Sequence, residues 1–156
     1  GHFNGMATIV EEFFNLINPN KAYFGEKDLQ QLQIVKRLVL IMKSSIKIIS
    51  VSTVREKNGL AKSSRNNLLS KKAKNEASLI YQALVYCQNN KQKGIPKLKK
   101  YVIQIFKKNP IIKLEYVEFV RLEDMSPISN WEDKGKSAIC IAAFVDNVRL
   151  IDNIIL

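Results

Sequence analysis

The apolar residues of the first 54 positions switch back and forth between two spacings, and this alternation constrains the fold more than any other feature of the chain. From Thr8, the residues Ile9, Val10, Phe13, Phe14 and Ile17 recur at helical spacing, with Thr8 able to cap the helix and Pro19 to stop it. Gly1 to Met6 reads as a loop ahead of that helix. Ala22-Tyr23-Phe24 is then a short buried strand ending at Gly25. Leu29, Leu32, Ile34, Val35, Leu38, Val39 and Met42 return to the helical period and face inward. Lys47 to Val54 alternates and is β-branched, which makes a second strand. Helix, strand, helix, strand in this order predicts a parallel sheet covered by helices and joined by right-handed crossovers.

The pattern changes after Val54. Arg55 to Asn67 is polar, with Gly59 as a turn residue, and reads as a loop between two regions. Ser70 can cap a long helix running to about Asn90, with Ala77, Ile80, Tyr81, Leu84 and Val85 on its inner face. Gly94 and Pro96 interrupt the chain and start another helix, which buries Leu98, Val102, Ile105 and Phe106 and stops near Asn109-Pro110. Leu114 to Arg121, Ser137 to Val145, and Val148 to Ile154 read as strands. The expected organisation is α/β: residues 1–55 as part of a Rossmann-like open sheet, then residues 56–156 as a small α+β domain of helices and an antiparallel sheet, with a break near residues 54–60.

Hydrophobic residues make up 46% of the 156, enough for packed cores. No apolar run is long enough to span a bilayer, and Cys87 and Cys140 stand far apart without metal-ligand spacing, so they read as reduced, buried thiols of a cytoplasmic protein. The net charge is +11, which opens the question of nucleic acid or an anionic surface. Most of the basic residues are lysines spread along the chain, however, and arginine, the better reader of bases and phosphates, is scarce. Lys97, Lys99, Lys100, Lys107 and Lys108 fit the solvated face of a helix, so neither nucleic acid nor a membrane is an expected partner. Trp131 and the Tyr81–Leu84–Val85 stripe read as packing residues.

Two polar segments can carry chemistry. In Phe24-Gly25-Glu26-Lys27-Asp28-Leu29-Gln30-Gln31 a strand ends, a glycine turns and a helix begins. Ligands of open α/β sheets lie at the carboxyl ends of strands, and the free N–H groups and positive dipole end of a helix start favour phosphate or carboxylate. Lys27 adds a mobile positive charge, Asp28 can accept from hydroxyls, and Gln31 lies one turn on. The alternative is that Asp28 only caps the helix while Glu26 and Lys27 are solvated. In Gly59-Leu60-Ala61-Lys62-Ser63-Ser64-Arg65-Asn66, two hydroxyls stand between a lysine and an arginine. Such a set can bind a triphosphate and stabilise charge on a leaving pyrophosphate, or it is an ordinary polar loop. Neither segment is a P-loop, and no Gly-x-Gly-x-x-Gly is present.

Together the segments resemble pantothenate synthetase (pantoate–β-alanine ligase). The family's Phe-Gly-Glu-Lys-Asp-x-Gln-Gln-Leu stands here as Phe24 to Leu32, and its Val-Arg-x-x-x-Gly-Leu-Ala-x-Ser-Ser-Arg-Asn as Val54 to Asn66. His2-Phe3-x-Gly5-Met6-x-Thr8 and Arg149-Leu150-Ile151-Asp152-Asn153 also look like family segments. The resemblance implies that ATP and pantoate form pantoyl adenylate and pyrophosphate, and that β-alanine then yields pantothenate and AMP. It implies that Gly25, Glu26, Lys27 and Asp28 bind ATP, Gly25 and Asp28 at the ribose and Lys27 at the phosphates. Val54 would lie against the adenine, Gln31 would contact pantoate, and Ser63, Ser64 and Arg65 would grip the phosphates, with Lys62 in the same loop. Lys27, Ser63, Ser64 and Arg65 are then the catalytic set. The Lys62 position is usually Met or Leu in the family.

The resemblance also sets expectations about what this chain lacks. The family's His-x-Gly-His segment is not among the 156 residues, and His2 is the only histidine. His2 reads as structural or peripheral, against a role at the pantoate or phosphate site. The chain is expected to be the carboxyl-terminal portion of a homodimeric enzyme, inactive alone, its small domain acting as a lid over ATP. Magnesium would accompany ATP, with its carboxylate ligands outside this chain. The rivals are a related adenylate-forming or nucleotidyl-transferring enzyme and, in a different class, a basic nucleic-acid-binding module.

Overall fold

A computed structural model describes residues 1–131 and 135–156. The chain divides into two compact units, Gly1–Ser52 and Thr53–Leu156.

The first unit contains helix α1 (His2–Ile17), strand β1 (Lys21–Gly25), helix α2 (Leu29–Ile41) and strand β2 (Lys47–Val51). The strands pair in parallel, in register from Lys21 opposite Lys47 to Gly25 opposite Val51. Phe14, Val35, Val39 and Ile46 form the core, with Met6, Val10, Ala22, Phe24, Met42 and Ile48 packed on it. α1 ends because Asn18 takes a left-handed conformation, its N–H donating to the Phe14 carbonyl at 2.9 Å, and Pro19 follows.

Four expectations need correction. Residues 2–6 are helical, not a loop, and Thr8 does not cap: its hydroxyl donates to the Asn4 carbonyl at 3.0 Å inside the helix. Asn4 and Gly5 are weak helix formers, but Met6, Val10 and Phe14 repeat every four residues and pack into one core, which overrides local propensity. The outer residues Ile9, Phe13, Leu16 and Ile17 are exposed, so only one stripe of α1 is covered within this chain. β1 is not buried throughout either: Ala22 and Phe24 turn inward while Tyr23 is 65% exposed. β2 stops at Val51, three residues short of the expected end, and Val54 lies outside it.

The second unit packs helices α3 (Lys71–Asn89) and α4 (Ile95–Lys107) on an antiparallel sheet of β3 (Ile112–Arg121), β4 (Ser137–Val145) and β5 (Val148–Ile155), with β4 central. Ser70 caps α3, its hydroxyl accepting from the Ala73 N–H at 3.1 Å, and Pro96 occupies the first turn of α4. The β4–β5 hairpin turns through Asp146 and Asn147, both at positive φ, the turn chemistry that matches strand twist. Trp131 packs edge-on against Phe119, and its indole N–H donates to the Lys91 carbonyl at 2.8 Å. Burial holds the Cys87 and Cys140 thiols protonated, pushing them up to about 11 and about 12.

The inner face of α3 is Ala73, Ala77, Ile80, Ala83, Leu84 and Cys87. Spacing places Tyr81 and Val85 there too, but both are only half-buried, at the helix edge. The Tyr81 ring instead lies under the Arg55 guanidinium, 3.9 Å from its centroid, and against Gly59. Gly59 has φ +91, and a Cβ there would collide with the Tyr81 ring. Gly59→Ala is therefore expected to destabilise the second unit by about 2 kcal/mol, combining left-handed strain with overpacking. A denaturant titration with the midpoint unchanged would contradict this. Among the described residues no helix is long and apolar enough to cross a membrane.

Candidate functional site

The residues singled out from the sequence fall into two groups, one in each unit. In the first unit, β1 ends at Gly25, a 3-10 turn covers Glu26–Asp28, and α2 begins at Leu29. Leu29 anchors this junction by burial; of the polar residues just before it, Glu26 and Lys27 are half-buried and Asp28 is exposed. Lys27 and Asp28 lie within 3.8 Å of each other, with Lys27 the more buried of the two. Asp28 makes no side-chain cap bond to α2, so its carboxylate does not do the job that the capping alternative assigned to it. Gly25 is exposed with open space around it, and Gln31 is half-buried on the first turn of α2. Gly25, Glu26, Lys27, Asp28 and Gln31 are thus brought together where a strand end meets a helix start.

In the second unit the loop is an ordered hairpin. The Lys62 N–H donates to the Val54 carbonyl at 2.9 Å and the Glu56 N–H to the Leu60 carbonyl at 2.8 Å, and Arg55 bridges Ala61. Gly59 makes the turn: its N–H donates to the Glu56 carbonyl at 2.9 Å. The chain then enters a 3-10 helix, Ser64–Leu68, capped by Ser63, whose hydroxyl accepts from the Arg65 N–H at 3.3 Å. Ser64 and Arg65 are exposed, and the Arg65 guanidinium donates to the Arg149 carbonyl of β5 at 3.3 Å. Lys62 is exposed, and Val54 is 62% exposed. A capped turn presenting two hydroxyls and a guanidinium has the donors that phosphate oxygens accept from.

Sequence reasoning missed what holds this hairpin. Arg55 forms a two-pronged ion pair with Asp152 of β5, Nη1 to Oδ2 at 2.6 Å and Nη2 to Oδ1 at 3.0 Å. It also donates to the carbonyls of Gly59 at 3.1 Å and Asn153 at 3.4 Å. Asn66 is the buried residue of the 3-10 helix itself and donates to the Ala61 carbonyl and to Glu56. Arg55, Asn66 and Asp152 all stand inside the motif stretches, which was the available signal, but no side-chain role followed from their order alone. Among the described residues no group of three His, Cys, Asp or Glu side chains could hold a metal ion.

Residues 1–155 match the Pantoate-beta-alanine ligase family model. A pantothenate synthetase of Caldicellulosiruptor saccharolyticus is 42% identical over 158 residues, which cover 99% of this chain and 56% of that protein. One from Azobacteroides pseudotrichonymphae is 43% identical, with 99% of this chain and 55% of that protein covered. The chain thus spans about half the length of the curated relatives it matches. Among solved structures, pantothenate synthetase from Thermus thermophilus aligns with a TM-score of 0.89 at 35% identity, over 99% of this chain and 56% of that one. Pantoate-beta-alanine ligase from Francisella tularensis, complexed with Beta-gamma ATP and Beta-alanine, aligns with a TM-score of 0.70 at 30% identity, over 99% and 50%. With a family match across nearly its whole length, and with a parallel β–α–β unit and a small α+β unit that follow solved relatives, this chain belongs to the pantoate-beta-alanine ligase family.

Proposed function

We propose that this chain carries ATP- and pantoate-contacting residues of a pantothenate synthetase that works through a pantoyl adenylate. A carboxylate is a poor electrophile; transfer of AMP to pantoate installs a good leaving group, and the β-alanine amine then displaces AMP. In the first unit, Gly25 and Asp28 hold the ribose, Glu26 lines the nucleotide, Lys27 meets the phosphates and Gln31 meets pantoate. In the second unit, Val54 lies against the adenine, Lys62 supplies backbone, and Ser63, Ser64 and Arg65 bear on the phosphates, where charge grows as pyrophosphate leaves. Residues 1–55 serve as the carboxyl-terminal part of the nucleotide-binding domain and residues 56–156 as the small domain, except that residues 53–55 group with the second unit. The full-length protein is read as a cytoplasmic homodimer.

The observation that carries this reading is the Ser63-capped turn, which presents two hydroxyls and a guanidinium in a chain of the ligase family. The Francisella tularensis ligase, complexed with Beta-gamma ATP and Beta-alanine, supports ATP and β-alanine as substrates here. Magnesium travels with ATP; the described residues offer no carboxylate cluster that fits it.

The 156 residues contain no His-x-Gly-His, so this chain alone, given ATP, pantoate and β-alanine, is expected to form no pantothenate. A full-length enzyme is expected to release pyrophosphate from ATP and pantoate before β-alanine is added. Turnover by the 156-residue chain would refute the first expectation. A strict requirement for β-alanine in pyrophosphate release would refute the second.

A further inference from the structure

Asn66 is 3% exposed and sits directly behind the Ser63–Arg65 turn. Its amide nitrogen donates to the Ala61 carbonyl at 3.0 Å and to Glu56 Oε1 at 3.3 Å. These two bonds occupy both of its N–H groups and settle the orientation of the amide: exchanging O and N would set an oxygen against a carbonyl and a carboxylate. Its backbone N–H also donates to the Ser63 carbonyl at 3.0 Å, and its own carbonyl accepts from Leu69 at 3.2 Å. One side chain thereby joins both limbs of the Val54–Lys62 hairpin to the turn that presents Ser64 and Arg65. Asn66 Oδ1, however, is buried without a hydrogen-bond partner among the described residues. A buried acceptor left unpaired is unfavourable for folding and offsets part of what the two donor bonds contribute.

We propose, resting on the reading of Ser63, Ser64 and Arg65 as ATP contacts, that Asn66 is a positioning residue for nucleotide-phosphate binding, with Glu56 as its partner. Asn66 touches no phosphate. It fixes the exit of the hairpin relative to the 3-10 helix, and so fixes where the Ser64 hydroxyl and the Arg65 guanidinium stand. Asn66→Asp changes almost no volume but turns a double donor into an acceptor facing the Glu56 carboxylate and the Ala61 carbonyl. Glu56→Gln removes that charge conflict, because the new amide can donate to the new carboxylate.

The test uses the full-length enzyme, with pyrophosphate release measured against ATP concentration and the β-alanine step measured separately. N66D is expected to lower kcat/KM for ATP by about tenfold, the size of one lost charge-assisted bond, while KM for β-alanine holds. E56Q/N66D is expected to recover about threefold of that loss, the coupling expected of residues in direct contact. A change in kcat/KM for ATP below about twofold in N66D, equal damage to both substrates, or a double variant no better than N66D would each overturn the proposal. If N66D does not fold, E56A decides. Its loss of one Asn66 acceptor is expected to raise KM for ATP about threefold, and an unchanged KM overturns the proposal. R65A separates the two levels of inference. Unchanged use of ATP in R65A sinks the reading of the loop itself, whereas impaired R65A beside normal N66D sinks the role of Asn66 alone.

Discussion

Replacing Lys27 by alanine in the full-length enzyme is expected to cost about 2–4 kcal/mol of transition-state stabilisation in adenylate formation, read as slower pyrophosphate release from ATP and pantoate. Two observations set this size. Lys27 lies in the 3-10 turn between the end of β1 and the start of α2, where strand-end geometry and the helix dipole both favour an anion. Its side chain is largely covered, at 21% exposure, so its charge is less screened than that of an ordinary surface lysine. Lys27→Arg keeps the charge but changes its shape from a compact ammonium to a broad fork, and is expected to recover only part of the loss. A pyrophosphate release rate for Lys27→Ala equal to that of the parent enzyme would remove Lys27 from the catalytic set.

The second large effect concerns folding. Asp152→Asn is expected to destabilise the second unit by about 3–5 kcal/mol, because it leaves the Arg55 guanidinium without its counter-charge in a buried setting. Asp152 is 4% exposed and Arg55 18%. The pair is closed by two short bonds, and the remaining Arg55 donors reach the Gly59 and Asn153 carbonyls while the guanidinium face rests on Tyr81. The asparagine nearly matches aspartate in volume, so packing is preserved and the measured change reports the charge. Arg55→Lys should also fail, since one ammonium cannot supply two parallel bonds and a stacking face. Because Arg55 stands in the hairpin that leads to Ser63, the same variant is expected to weaken the use of ATP as well as stability. A loss below about 1 kcal/mol in denaturant unfolding of Asp152→Asn would mean that the pair adds no more than a surface ion pair.

Periodicity made the elements legible where one helix face or strand face is buried against its own neighbours. The inner face of α2, the Ser70 cap of α3, the Pro96 start of α4 and the three antiparallel strands all follow from spacing and local chemistry. The same reasoning failed at residues 2–6, where Asn4 and Gly5 argue against a helix that packing onto the core nevertheless sustains. It failed again at Tyr81. A large apolar ring at helical spacing looks like core, yet this one lies at the helix edge beneath Arg55 and closes on Gly59. The site divides in the same way. Gly25 to Gln31 and Lys62 to Arg65 could be singled out from residue type and order, because both segments concentrate phosphate-binding chemistry within a few positions.

What the sequence determined by itself was local: which stretches coil or extend, and which short segments carry charges and hydroxyls suited to a nucleotide. Those properties depend on neighbours within about one turn of helix or one turn of chain. What only the tertiary structure decided was how the hairpin is held. Arg55 meets Asp152 across 97 positions of chain, and Arg65 meets the Arg149 carbonyl across 84. A bond between such distant positions depends on the folded path of everything between them, and no local pattern encodes it. The sequence marks Ser63, Ser64 and Arg65 as candidates for binding phosphate; the fold supplies the half-buried Arg55 and the buried Asp152 and Asn66 that hold their loop in one shape.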